Sequence, residues 1–286
     1  MALPSYVGPL GRAWHYGFLT ICGLIFLYLI APILIIIPLS FNAEPYFSFT
    51  EGMLTFEADA YSIRWYERIL GGTRGTEWIL SIKNSFFIGT IATLLATTLG
   101  TLAALGLSRS HMPWRTPIMA LLISPMIVPL IITAAGMFFF YSKIGLAQTY
   151  PGIILAHTAL GTPFVVITVT ATLMGFDHTL TRASANLGAA PTRTFFKITV
   201  PLILPGVISG GLFAFITSWD EVVIVLFMAG PEQHTIPRRM WSGIRELISP
   251  TITSVATLLI IVSILMMVTM EFLRRRGERL RGITPH

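Results

Sequence analysis

Along the chain, long apolar runs alternate with shorter polar stretches. Six runs are long enough to cross a bilayer: 17–39, 84–107, 116–141, 151–175, 202–228 and 252–272. A helix needs about 20 apolar residues to span the hydrocarbon core. The first four runs contain no Asp, Glu, Lys or Arg; the fifth carries Asp220 and Glu221, and the sixth carries Glu271 near its end. Backbone polar groups in lipid must be satisfied within the segment, so runs of this length predict helices. The short alternating segments of a membrane β-barrel are absent from the pattern. The expected fold class is all-α, a polytopic membrane protein with six transmembrane helices. No internal repeat is visible.

Charge orients these spans. One set of connections and ends holds Arg12, Arg109, Arg115, Arg182, Arg193, Lys197, Arg274, Arg275, Arg276, Arg279 and Arg281, against the acids Asp177, Glu271 and Glu278. The opposite side holds eight basic residues against eight acids. Excess Lys and Arg mark the cytoplasmic face, so both termini are expected inside. The run 17–39 is too long for a signal-peptide core and lacks a small-residue cleavage site, so it is expected to remain as the first span.

Composition sharpens this picture. Hydrophobic residues make up 54% of the 286 and charged ones only 11%, whereas soluble domains carry about 25% charged residues. The net charge of +6 is spread over loops between apolar runs and does not form an aromatic-lined basic patch, so nucleic acid is not an expected partner; membrane lipid is. The single Cys22 excludes an internal disulfide and a cysteine metal cluster, and its apolar setting suggests a small packed hydrophobe. No metal ligand set and no catalytic group stands out.

Two connections on the outer side are long. The stretch 41–81 contains Tyr46, Phe47, Tyr61, Trp65, Tyr66 and Trp78, residue types that anchor at membrane interfaces; contact with an external partner is the other reading. The stretch 229–250 holds Pro231, Pro237 and Trp241 and suggests a short surface helix.

The inner connection 176–201 reads FDHTLTRASANLGAAPTRTFFKITVP. Asp177 or Thr179 can cap a first short helix, whose Ala183, Ser184 and Ala185 make a smooth face. Gly188 falls where such a helix ends in a left-handed residue, and Pro191 where a second begins. A long connection with structure of its own is usually functional.

Within it, Leu187-Gly188-Ala189 is followed, nine residues after Gly188, by Ile198-Thr199-Val200-Pro201. This spacing resembles the cytoplasmic loop of ABC importer permeases, whose pattern is Glu-Ala-Ala, three residues, Gly, nine residues, Ile, one residue, Leu-Pro. Here Arg182-Ala183-Ser184 stands at the Glu-Ala-Ala position and Val200 at the Leu position. The resemblance extends over most of the chain. Pro38-Leu39-Ser40-Phe41-Asn42, Asn84-Ser85, Ser218-Trp219-Asp220-Glu221-Val222-Val223 and the stretch 235–245 are similar to the spermidine/putrescine branch, in particular its second permease subunit.

The resemblance implies the type I importer permease (MetI-like) fold. It divides the chain into a cytoplasmic segment 1–16, a permease domain 17–273 and a basic tail 274–286. It implies that 176–201 is a coupling loop, with Arg182, Ala183, Ser184, Leu187, Gly188, Ala189 and Pro191 docking on a cytoplasmic ATPase dimer. It further implies a second, homologous permease subunit, an external solute-binding protein, and a bacterial inner-membrane location. The chain has no phosphate-binding glycine loop followed by Lys, so ATP and Mg are expected on the partner ATPases and no cofactor on this chain. The implied cargo is a polyamine or a similar small cationic or amino-acid-like solute. An ion-gradient-driven transporter and a non-transporting scaffold are the alternatives.

Asp220 and Glu221 interrupt the fifth run well inside the hydrocarbon region if that run is one continuous helix entering near Gly206. Charges at such depth mark a pathway by default. Adjacent helical residues point about 100° apart, so one acid is expected to line the path and the other to bond to a neighbouring helix. Beside them, Trp219 can attract a cation through its ring. Pairing of the acids with Arg238, Arg239 or a partner subunit is the structural alternative. Gly210 and Gly211 suggest close helix approach or a bend, and His157 suggests a packed polar residue.

Overall fold

The computed structural model describes residues 8–109, 111–246 and 249–280. The ends of the segments 1–16 and 274–286, residues 1–7 and 281–286, lie outside it. Helices follow one another along the chain: α1 (Pro9–Leu39), α2 (Glu51–Leu54), α3 (Arg64–Leu70), α4 (Gly72–Leu107), α5 (Arg115–Ile127), α6 (Leu130–Lys143), α7 (Tyr150–Met174), α8 (Thr179–Asn186), α9 (Pro191–Thr194), α10 (Val200–Trp219), α11 (Val223–Met228), α12 (Ile236–Glu246) and α13 (Pro250–Leu280). No strand occurs among the described residues; Asn42 and Tyr61 form an isolated bridge.

Among the described residues, five helical stretches are long and apolar enough to cross a membrane, and six if the bent pair α5–α6 counts as one span. The third apolar run is therefore not one straight helix. It breaks at Val128, whose ψ of 133° is extended, and the two halves are bent by 103°. The cause is Pro129, which disfavours helical geometry in the residue before it.

The chain divides into two compact units. The smaller comprises residues 1–68 and 247–260. In it, the Trp65 indole N–H donates to the Asn42 carbonyl at 2.7 Å, Tyr66 Oη lies 2.6 Å from Ser40 Oγ, and Ser254 Oγ donates to the Ser40 carbonyl at 3.1 Å. Tyr61 donates to the Met53 carbonyl at 3.0 Å. The stretch after α1 is thus folded on itself, and Trp65 is buried instead of anchoring at an interface as its composition suggested; Trp78, in the other unit, is buried too. Tyr46 and Phe47 do remain exposed. None of the residues in the apolar window of α1 is buried. Cys22 on that helix is half-buried.

The larger unit, 69–246 with 261–286, is built around α4, α7 and α10. Ala96, Ala104, Val165, Val169, Leu173, Ile203 and Ala214 form one buried cluster between these three helices. A second joins Ile88 and Ala92 to Ile153, Leu160, Ile224 and Met228. Small residues let the helices close on each other, since lipid supplies no hydrophobic drive between them. A Cβ on Gly206 would sit 2.1 Å from Thr172 Oγ1, and one on Gly210 would sit 2.8 Å from the Val165 Cα. Gly211 meets Thr97 in the same way at 2.9 Å. Close approach, rather than a bend, is the use of the Gly210-Gly211 pair.

Candidate functional site

The fifth apolar run supplies the first part of the site. α10 stops at Trp219 and α11 starts at Val223, so Asp220 and Glu221 lie in a break and not within a continuous helix as the run suggested. The depth and angle drawn from an unbroken helix therefore do not apply. The Glu221 carboxylate accepts the backbone amide of Ile224 at 2.8 Å, satisfying one of the donors that a new helix start leaves open. An acid three residues before the amide of an apolar turn thus serves the start of a new helix. Glu221 is buried and Asp220 is exposed.

Among the described residues, neither acid is paired with the arginines considered from sequence. Arg239 forms an ion pair with Glu77 and lies over the Trp78 ring at 5.7 Å, while Arg238 donates to Ser242. Glu221 bonds to its own segment rather than to a neighbouring helix. Trp219 is buried, its ring stacked on Phe215 at 5.8 Å and met edge-on by Phe86 at 4.7 Å. A cation could reach that ring only after a phenyl ring moved aside. One residue earlier, Ser218 Oγ lies 2.6 Å from His157 Nδ1, so His157 is packed and polar as expected. Among the described residues, the buried His157 Nε2 and Trp219 Nε1 atoms find no hydrogen-bond partner.

Sequence reading did not find the fastening beside this break. Asn84 Nδ2 donates to the carbonyls of Glu232 at 2.7 Å and His234 at 3.0 Å, and its Oδ1 accepts from Tyr150 at 2.9 Å. Ser85 Oγ accepts the Ile236 amide at 2.9 Å. These bonds tie the stretch before α12 to α4 and α7. The amphipathic α12 is the helix expected between 229 and 250. A polar Asn-Ser pair opening an apolar run was the available signal. His234 is held below the ordinary imidazole range, first by burial and then by Arg238.

The second part is the connection after α7. The Asp177 carboxylate accepts the Thr179 amide at 2.8 Å, and this bond, with that to the Thr179 side chain, holds its carboxyl below the usual range. Asp177 rather than Thr179 serves the helix start. α8 ends in paired 6→1 and 5→2 bonds: Ala189 N–H to Ser184 at 3.1 Å and Gly188 N–H to Ala185 at 2.9 Å. Gly188 has φ +76°, the left-handed conformation such an ending requires. Pro191 opens α9. The second helix is not short, however. α9 runs through a π-helical turn, Phe195–Thr199, into α10, giving one helical stretch from Pro191 to Trp219. Ser184 Oγ and Thr194 Oγ1, 2.7 Å apart, pin α8 to its start. Arg182, Ala183, Leu187, Gly188 and Pro191 are exposed, Leu187 by 88%.

An acid-bearing break inside a close-packed bundle of apolar helices, joined to a structured connection with an exposed face, is the arrangement of a polytopic membrane protein. The chain belongs to the family described as binding-protein-dependent transport system inner membrane component, whose model matches residues 96–279. It is 30% identical to the spermidine/putrescine transport system permease protein PotC of Haemophilus influenzae, over 89% of this chain and 95% of that protein. To the putrescine transport system permease protein PotI of Escherichia coli K12 it is 31% identical, over 82% of each. Among solved structures it resembles a bacterial ABC transporter involved in the import of the acidic polysaccharide alginate, with TM-score 0.74, 15% identity, and 94% of this chain and 99% of that one covered. It also resembles the inward-facing MetNI methionine ABC transporter, with TM-score 0.53, 16% identity, and coverage of 75% and 100%. The importer-permease fold expected from the sequence is thereby established. The chain is a multi-pass inner-membrane transport permease.

Proposed function

We propose that this chain is one of two homologous permease subunits of an ATP-driven importer for polyamines, fed by an external solute-binding protein. Its relatives' substrates support the cargo, and the observation that carries the reading is the exposed Asp220 at a break between apolar helices. A carboxylate there compensates the charge of a polyammonium chain crossing a low-dielectric region, where an unpaired charge is costly. Asp220 is the acid that meets the cargo. Glu221 and Trp219 shape the break, with Trp219 available to a cation once Phe215 shifts.

On the cytoplasmic side, the exposed face of α8 with Arg182, Ala183, Leu187 and Gly188, bounded by Ser184, Ala189 and Pro191, docks on an ATPase dimer that binds ATP and Mg. This chain supplies no hydrolysis and binds no cofactor. Both termini face the cytoplasm, in keeping with the excess of Lys and Arg in the segments around 1–16, 109–115, 176–201 and 274–286. The domain limits are those of the permease body 17–273 and its flanking cytoplasmic segments.

The test is uptake by the complex. The tagged chain is purified from native membranes with its associated subunits and reconstituted into proteoliposomes containing ATP. With the transporter's own binding protein outside, uptake of radiolabelled putrescine or spermidine is expected to require ATP inside. Uptake that follows an imposed ion gradient and ignores ATP would overturn the reading.

A further inference from the structure

The stretch between α1 and α4 holds a feature that the transport path does not use. Trp65 is buried, and its indole N–H is tied to the Asn42 carbonyl, so the ring is fixed in place. The Arg64 guanidinium carbon lies 4.5 Å from the ring centroid and that of Arg68 lies 5.1 Å from it. Beside them opens a cavity of about 340 Å³ lined by Glu44, Pro45, Arg64, Trp65 and Arg68. Among the described residues neither arginine side chain makes an ion pair or a hydrogen bond; the ring is what both contact.

Both guanidinium groups are positively charged and lie at the one ring beside the cavity, so an anion entering that cavity is attracted by each of them. Their planar forks match a carboxylate in two-point geometry. Stacking on a fixed indole removes much of the freedom that such side chains otherwise lose on binding. The surroundings say which anion. In the same unit, residues 41–68 carry five acids, Glu44, Glu51, Glu57, Asp59 and Glu67, against two arginines, Arg64 and Arg68. A net-negative segment is repelled by anionic lipid headgroups, whose surfaces attract polybasic segments instead. The arginine pair is a positive spot in a negative field, which suits one acidic side chain presented by a protein surface.

We propose that Arg64 and Arg68, spread on Trp65, form a socket for an acidic side chain of the solute-binding protein. The inference rests on the importer reading and on the outward placement of 41–81. The socket fixes the register of docking, so that the cargo is released over the permease pair and not beside it.

The experiment measures binding of the transporter's own solute-binding protein, loaded with putrescine, to the whole complex in nanodiscs at several salt concentrations. The double variant Arg64→Gln/Arg68→Gln is expected to bind about ten- to a hundredfold more weakly, with a flatter salt dependence and unchanged basal ATPase activity and subunit composition. Arg64→Lys/Arg68→Lys, which keeps the charge and loses the fork, should fall between it and the parent. Affinity and salt dependence equal to the parent's in the glutamine variant would overturn the socket. So would unchanged binding-protein affinity together with lost adhesion of the complex to phosphatidylglycerol vesicles, which would assign the arginines to lipid. If the parent complex itself bound no solute-binding protein, the importer reading would fail instead.

Discussion

His157 Nδ1 and Ser218 Oγ lie 2.6 Å apart, joining α7 to the last turn of α10 one residue before Trp219. Both residues are buried, so the bond is shielded from competing water. Replacing His157 by Ala leaves the Ser218 hydroxyl without this partner and opens a void. The cost expected for an unsatisfied buried group is about 1–3 kcal/mol. Thermal unfolding of the detergent-solubilised complex should show a lower midpoint for His157→Ala. An unchanged midpoint would mean that the bond does not hold the two helices.

Glu221 joins two roles that one substitution can separate. Its carboxylate accepts the Ile224 amide, and a Gln oxygen can accept the same bond. Glu221→Gln is therefore expected to assemble and melt like the parent, whereas Glu221→Ala loses the helix start at a cost of about 1 kcal/mol. Asp220→Asn, by contrast, removes an exposed charge without touching that bond. It should lower polyamine uptake at least tenfold while leaving stability unchanged, measured side by side with Glu221→Gln in proteoliposomes.

At Gly206 the expected effect is steric. A Cβ would meet Thr172 Oγ1 at 2.1 Å and Thr172 Cβ at 2.9 Å. Overpacking of this kind costs about 1–3 kcal/mol. Gly206→Ala should destabilise the complex, and adding Thr172→Ala should recover part of the loss. Gly136→Ala, which meets nothing within 4 Å, should be neutral or stabilising by comparison.

Gly188 carries φ +76° with open space around it, so a side chain there is opposed by backbone conformation alone. Gly188→Val should strain the ending of α8 by about 1–2 kcal/mol and tilt its exposed face. ATP-driven uptake is expected to fall while the chain still inserts; parent-like uptake in this variant would count against coupling through α8.

The stretch holding His234 gives a pH dependence with a definite sign. Burial, and then Arg238, lower its proton affinity in the folded protein. The unfolded chain therefore binds a proton where the folded chain does not. Stability is unaffected above the ordinary imidazole value of about 6.5 and declines as pH falls below it. His234→Gln should flatten that decline in a melting series from neutral to mildly acidic pH.

The spans were legible because hydropathy and length decide them, and Gly188 and Pro191 because each is punctuation with a conformational reason. The break after Trp219 was not. Asp220 and Glu221 are the two charged residues of an otherwise apolar run, and averaging over a window hides whether an acid interrupts a helix or ends it. The bend at Val128 was missed for a related reason, although Pro129 was in view. For Trp65 and Trp78 the residue type suggests a membrane interface or contact with an external partner. Only the partners they find, Asn42 for one and the Arg239–Glu77 pair beside the other, show that protein surrounds them. The Asn84 bonds reach 148 and 150 positions along the chain, beyond any local pattern.

The helical stretch from Pro191 to Trp219 contains 29 residues, which at 1.5 Å each is a rod of about 43 Å. One end is pinned to α8 through Ser184 and Thr194; the other stops at the acids. On the coupling proposed above, a displacement of α8 would be carried along this rod to Trp219. Because the helix ends there, α11 starts as a separate segment at Val223. Asp220 and Glu221 occupy the gap in which such a displacement would be taken up.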